Sequence, residues 1–83
     1  MHEFSLATEI VDIALTAASE SGAGTITAVH LAMDPASHLD RSALAGAFQI
    51  AAAGTQAAAA TLEFALESSG IGEIAVTAID VSP

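Results

Sequence analysis

Apolar side chains recur at helical spacing near the start of the chain. Leu6, Ile10, Ile13 and Ala17 fall four, three and four residues apart, the stripe of an amphipathic helix over about residues 5–19. Ser5, followed by Thr8 and Glu9, supplies the hydroxyl and first-turn acid that suit a helix N-terminus. Ser21-Gly22-Ala23-Gly24 then stops the helix. Beyond it the period shortens to two. Over residues 25–33, Thr27, Val29, Leu31 and Met33 alternate with Ile26, Ala28, His30 and Ala32, and the β-branched content predicts a strand. Asp34-Pro35-Ala36-Ser37 reads as a turn, with Pro35 biasing Asp34 toward extended backbone.

A second helix is expected from residue 40 or 41 to about 53, with Leu44, Ala47, Phe48 and Ala51 inward and Gly54-Thr55 closing it. The alanines of 57–60 are helix-prone in isolation, but their position favours a loop leading into the next strand. Residues 61–67 set Leu62, Phe64 and Leu66 against Thr61, Glu63, Ala65 and Glu67, a half-buried strand. Ser68-Ser69-Gly70-Ile71-Gly72 predicts a turn, and residues 73–81 a third strand. The order helix, strand, helix, strand, strand implies an α+β fold: two helices packed on a small three-stranded sheet, with the last two strands forming a hairpin.

Composition narrows the function classes. The 83 residues allow one domain, over 1–83, and much of the apolar content is alanine, which buries little area per residue. Stability at this size is expected to be marginal, so a partner or a second copy would help. A formal net charge of −9, with Arg41 the one strong base, excludes phosphate-backbone binding as a main role. It suits cations or a basic protein partner. The absence of cysteine excludes disulfides, thiolate metal sites and cysteine nucleophiles. No apolar run is long enough to span a bilayer and the polar start is no signal peptide, so a cytoplasmic location is expected. No nucleophile–base pair, phosphate loop or paired acids mark an enzyme.

The chemistry concentrates at the first residues. The Met1 amine, the His2 imidazole and the Glu3 carboxylate lie together where the chain offers an extra nitrogen. Amine, imidazole and deprotonated amide nitrogens suit planar or tetragonal Ni(II) or Cu(II). Taken alone, the same hexapeptide reads more simply as a frayed terminus.

Several segments together resemble one family. Met1-His2-Glu3-Phe4-Ser5-Leu6 is similar to the MHExSL start of HypA, the nickel metallochaperone of [NiFe]-hydrogenase maturation. Ile26-Thr27-Ala28-Val29-His30-Leu31 resembles that family's first strand. Leu39-Asp40-Arg41-Ser42-Ala43-Leu44, continuing into Ala47-Phe48-Gln49-Ile50, resembles its second helix. Thr61-Leu62-Glu63-Phe64 and the segment over 73–81 resemble its later strands, so the resemblance runs through essentially the whole chain. One departure is large. The family carries a zinc module with two CxxC pairs between its second and third strands, and here Ser68-Ser69-Gly70-Ile71-Gly72 stands in that place as a short hairpin turn. A structural zinc needs four nitrogen or sulfur ligands, and no zinc is expected.

The resemblance implies one Ni(II) held by Met1, His2 and Glu3 with Asp40 nearby. Glu3 is either a ligand, an acceptor for the imidazole N–H or plain first-turn acid, and Asp40 is a ligand neighbour or a helix N-cap, roles that are compatible. His38 is expected as an exposed loop histidine and His30 on the outer sheet face or an oligomer contact. Arg41 is expected to pair with an acid such as Asp12 or Glu9. The implied partners are a HypB-type GTPase and the hydrogenase large subunit, with nickel delivery as the function. The alternative is an accessory or assembly subunit of a hydrogenase complex that acts through protein contacts without carrying metal.

Overall fold

A computed structural model describes residues 2–22, 24–67 and 74–83, and the side chain of His2 is not among what it describes. Five elements follow in order: α1 (His2–Ser21), β1 (Thr25–Met33), α2 (Arg41–Ala52), β2 (Thr61–Leu66) and β3 (Ile74–Ser82). This is the α+β order anticipated from the two periodicities.

Helix α1 begins three residues earlier than the Ser5 cap predicts. Ser5 therefore lies inside the helix, and Thr8 Oγ1 donates back to the Phe4 carbonyl at 3.1 Å. The face that turns inward is also rotated by about one residue. Ala7, Ile10, Val11, Ala14 and Ala18 are buried, whereas Ile13 keeps 50% of its surface. Alanine is the reason. It adds little burial of its own, but a row of Ala7, Ala14 and Ala18 lets α1 approach α2 and the sheet closely, with Ile10 and Val11 filling the gaps.

Helix α2 follows its expectation closely, with Leu44, Phe48 and Ala52 buried. Its C-terminal side is closed by Gly54 at φ +78°, a left-handed conformation that glycine adopts without penalty. The alanines beyond it form no helix. Two successive turns carry them, with Ala58 N–H donating to the Thr55 carbonyl at 3.1 Å and Ala60 N–H to that of Ala57 at 3.0 Å. Thr55 Oγ1 holds the first turn in place by donating to the Ala52 carbonyl at 2.7 Å and accepting from Ala57 N–H at 3.0 Å.

The sheet order is β2-β1-β3. Strand β1 is central, parallel to β2 and antiparallel to β3. This corrects the expected hairpin: β2 and β3 flank β1 on opposite sides and do not pair with each other. The turn expected at Ser68–Gly72 lies outside the described residues. The intervening helix supplies the crossover connection that the parallel pair of β1 and β2 needs.

The alternation in β1 is broken by a bulge. Ile26 faces Val81 and Ala28 faces Asp80, so Thr27 is an extra residue in β1. The extra residue moves Ile26 onto the helix-facing side with Val29 and Leu31 and leaves Thr27 exposed, which reverses their predicted faces. A second irregularity places Thr77 as the extra residue of β3, between the pairs His30–Ala78 and Leu31–Val76. There Thr77 Oγ1 donates to the His30 carbonyl at 3.2 Å. The core between helices and sheet centres on Phe48, Ile26, Leu31, Leu44 and Val29, and Leu62, Phe64, Val76 and Ile79 pack at its margin.

Candidate metal centre

The topology brings the first turn of α1 and the start of α2 to one end of the molecule. Ile74 at the start of β3 pairs with Met33 at the end of β1. Leu6 and Glu9 of α1 line the same cleft as Ile74, whereas Ser21 and Gly22 lie with Val81, Ser82 and Pro83 at the opposite end. The segment leaving Met33 reaches Asp40 seven residues on, and α2 starts there. Thus Glu3, the 34–40 connection and the Asp40 cap share one end of the fold.

The connection is held by local hydrogen bonds. Asp34 Oδ1 accepts from Ala36 N–H at 2.8 Å, the Ser37 N–H donates to the Asp34 carbonyl at 2.9 Å, and Ser37 Oγ accepts from Leu39 N–H at 3.1 Å. Leu39 is buried and anchors the segment. Asp40, at φ −84° and ψ 109°, caps α2 by accepting from Ala43 N–H at 3.1 Å through Oδ1. The capping role weighed for Asp40 is therefore present. It engages one carboxylate oxygen and leaves the residue exposed at the molecular end.

Helix α1 begins at His2, and Glu3 is the acid of its first turn. The first four N–H groups of an α-helix have no partner within the helix. The backbone nitrogens of His2 and Glu3 can therefore be spent on a metal without breaking the helix ladder. Met1 and the His2 side chain lie outside the described residues. Among the described residues, no three histidine, cysteine, aspartate or glutamate side chains converge to hold a metal ion. Carboxylates alone form no cage among the described residues.

The other charged candidates find different places. His38 is exposed, as expected. Arg41 forms no ion pair with Asp12 or Glu9; its guanidinium lies over the Phe64 ring, 5.8 Å from the centroid, on the β2 side of the sheet. The correction has a topological cause, because Arg41 opens α2 beside β2, whereas Glu9 and Asp12 line open grooves on α1. His30 does lie on the sheet face away from the helices. Its Nε2 is 2.9 Å from Asp80 Oδ2. The sequence alone did not point to Asp80, because that contact depends on the paired irregularities at Thr27 and Thr77 that together bring Asp80 opposite Ala28.

Comparison with known proteins agrees with this frame. Residues 1–71 match the family described as hydrogenase/urease nickel incorporation, metallochaperone, hypA. The chain belongs to the HypA family. It is 43% identical over 63 residues to a hydrogenase maturation factor HypA from a Roseiflexus species, a match covering 76% of this chain and 51% of that protein. It is 47% identical over 62 residues to the HypA of Chloroflexus aurantiacus, covering 75% of this chain and 54% of the relative. The HypA of Chloroflexus aggregans is 45% identical over 62 residues, with the same coverage of 75% and 54%. The chain thus spans about half the length of the curated HypA proteins it matches. No cysteine stands anywhere in its 83 residues, so the family's thiolate zinc motif has no counterpart in it. No helix among the described residues is long and apolar enough to cross a membrane.

Proposed function

We propose that this chain binds one Ni(II) at the N-terminus of α1 and passes it to the large subunit of a [NiFe]-hydrogenase, working as a nickel metallochaperone rather than as an enzyme. The ligands are the Met1 amine, the His2 imidazole and the deprotonated amide nitrogens of His2 and Glu3. The Glu3 and Asp40 carboxylates stand by to orient the imidazole or take a fifth position. The whole chain, 1–83, acts as a single nickel-binding domain.

The observation that carries this reading is the start of α1 at His2, which leaves the two amide nitrogens unused by the helix. A helix N-terminus opposes a cation, but by only about 0.3–1 kcal/mol at an exposed site. Structural divalent ions bound by comparable donor numbers gain about 10 kcal/mol or more at neutral pH. Ligand bonding therefore outweighs the dipole, and the negative charge of the protein offsets it further. Deprotonated amides favour planar Ni(II) or Cu(II) over tetrahedral Zn(II), which suits a carrier that must reject zinc. The membership in a family named for nickel incorporation supports nickel over copper. A HypB-like GTPase and the hydrogenase precursor are the partners this role requires.

Calorimetric titration of metal-free protein with a free Met1 amine is the test. It should give one nickel per chain with submicromolar affinity and an amide-nitrogen absorption band. His2→Ala, or acetylation of the amine, should weaken binding at least about tenfold, a loss of roughly 1.4 kcal/mol. Unchanged affinity in both would overturn the terminal site. Transfer of nickel to an apo large subunit tests delivery separately, and binding without transfer would favour an accessory role in hydrogenase assembly.

A further inference from the structure

Strand β3 forms one edge of the sheet, and among the described residues no strand pairs with its outer side. An edge of 9 residues presents a row of unpaired N–H and C=O groups. Helix α1 runs alongside it in the same direction. At one end, Leu6, Ile10 and Ile13 face Ile74 and Val76 across an apolar cleft of about 60 Å³, several-fold below the roughly 300 Å³ at which small-molecule pockets begin. That space suits one apolar side chain rather than a cofactor. At the other end Ser21 and Gly22 face Val81. Between them Ile13 and Val81 remain 50% and 42% exposed, so large apolar side chains stand uncovered beside the free edge.

The rim has one sign. Glu9 borders the cleft, and Asp12 and Glu20 border a shallow groove lined by α1 alone that begins at Ile13. Asp80 lies on the opposite face of β3, bonded to His30. The one strong base, Arg41, lies over Phe64 of the other edge strand, away from β3. Acid thus flanks the β3 edge on both faces, whereas the β2 edge sets Arg41 against its own Glu63. A second copy of this chain would bring two acidic rims and two charges of −9 together, which like-charge repulsion opposes.

We propose that the β3 edge, with the α1 groove beside it, takes an extended segment of a partner protein as a fourth strand. That segment carries apolar side chains toward α1 and lysine or arginine on its flanks and outer face. Main-chain hydrogen bonds and burial of Ile13 and Val81 supply the affinity, and the acidic rim supplies selectivity and association rate. The inference is independent of the nickel site, and its test uses metal-free protein.

The probe is an end-blocked peptide of alternating valine and lysine, matched in length to the 9 residues of β3, against a valine–glutamate peptide of equal length. Amide shifts and hydrogen exchange are followed on the full labelled chain. The lysine peptide should shift amides from Ile74 to Ser82 and at Ile13, slow exchange along β3, and bind more weakly as salt rises. The glutamate peptide should do neither. The triple variant Glu9→Lys, Asp12→Lys, Glu20→Lys changes only exposed side chains, so it should melt as the parent does while losing at least about tenfold in affinity. Perturbation centred on β2 or around His30 would overturn the proposal, as would equal binding of the glutamate peptide or no shift at about 1 mM. A dimer whose β3 amides are protected before any peptide is added would overturn it in favour of a second copy.

Discussion

The imidazole of His30 and the carboxylate of Asp80 meet at 2.9 Å on the open face of the sheet, across two neighbouring strands. Their side chains remain 38% and 60% exposed. Exposed pairs of this kind contribute between about 0 and 1 kcal/mol, because solvent screens them and two side chains lose freedom. Asp80→Asn should therefore shift the urea midpoint only slightly and leave the fold intact. A loss well above about 1 kcal/mol would mean that the pair, rather than backbone pairing, holds β3 in register.

Asp40 separates capping from metal chemistry. Its Oδ1 accepts from Ala43 N–H, and replacing such a cap by alanine costs about 0.5–2 kcal/mol. Asparagine keeps the cap and removes the charge. Asp40→Ala should lower stability in denaturant unfolding, and Asp40→Asn should not. If Asp40 also assists nickel, both variants should weaken nickel binding, and Asn should do so without a stability loss.

Phe48 is 2% exposed at the centre of the core. Truncating a buried phenylalanine to alanine costs about 3–5 kcal/mol. A chain of 83 residues has on the order of 4–12 kcal/mol in total. Phe48→Ala should leave a large unfolded fraction at ordinary temperature, read by circular dichroism and urea unfolding. Ile50→Ala removes a side chain that is 70% exposed and should cost within about 0.5 kcal/mol.

Nickel affinity should fall on acidification. Protons compete for the same nitrogens, so each ligand that must lose a proton makes binding weaker as pH drops. The amine and amide protons must leave as well as any on the imidazole, so the dependence spans more than one proton. Calorimetry in buffers of different ionisation heat should register protons released on binding. No release would exclude deprotonated amides as ligands. Metal analysis of protein loaded with nickel and zinc together should find nickel without zinc.

Much of this protein was legible in its sequence because the signals are local. Helical and twofold periodicities place five elements in the right order, and Asp40 stands where a cap of α2 is expected. The Met1-His2-Glu3 start and the lack of cysteine are facts of composition. The faces of those elements were less legible. Alanine looks too small to define a stripe, yet its smallness turns α1 by one residue, exposing Ile13 and burying Val11. The Thr27 bulge likewise reverses Ile26 and Thr27, because one extra residue flips a strand's alternation.

What the chain determines by itself, then, is which stretches are helix or strand and which donor atoms it can offer a metal. Strand order belongs to the tertiary structure. The helix between β1 and β2 permits their parallel pairing, β3 takes the other side of β1, and no local pattern encodes that choice. From that order follow the meeting of His30 with Asp80, the seat of Arg41 over Phe64, and a free acidic edge beside α1. Each depends on residues far apart in sequence that only the closed sheet brings within reach.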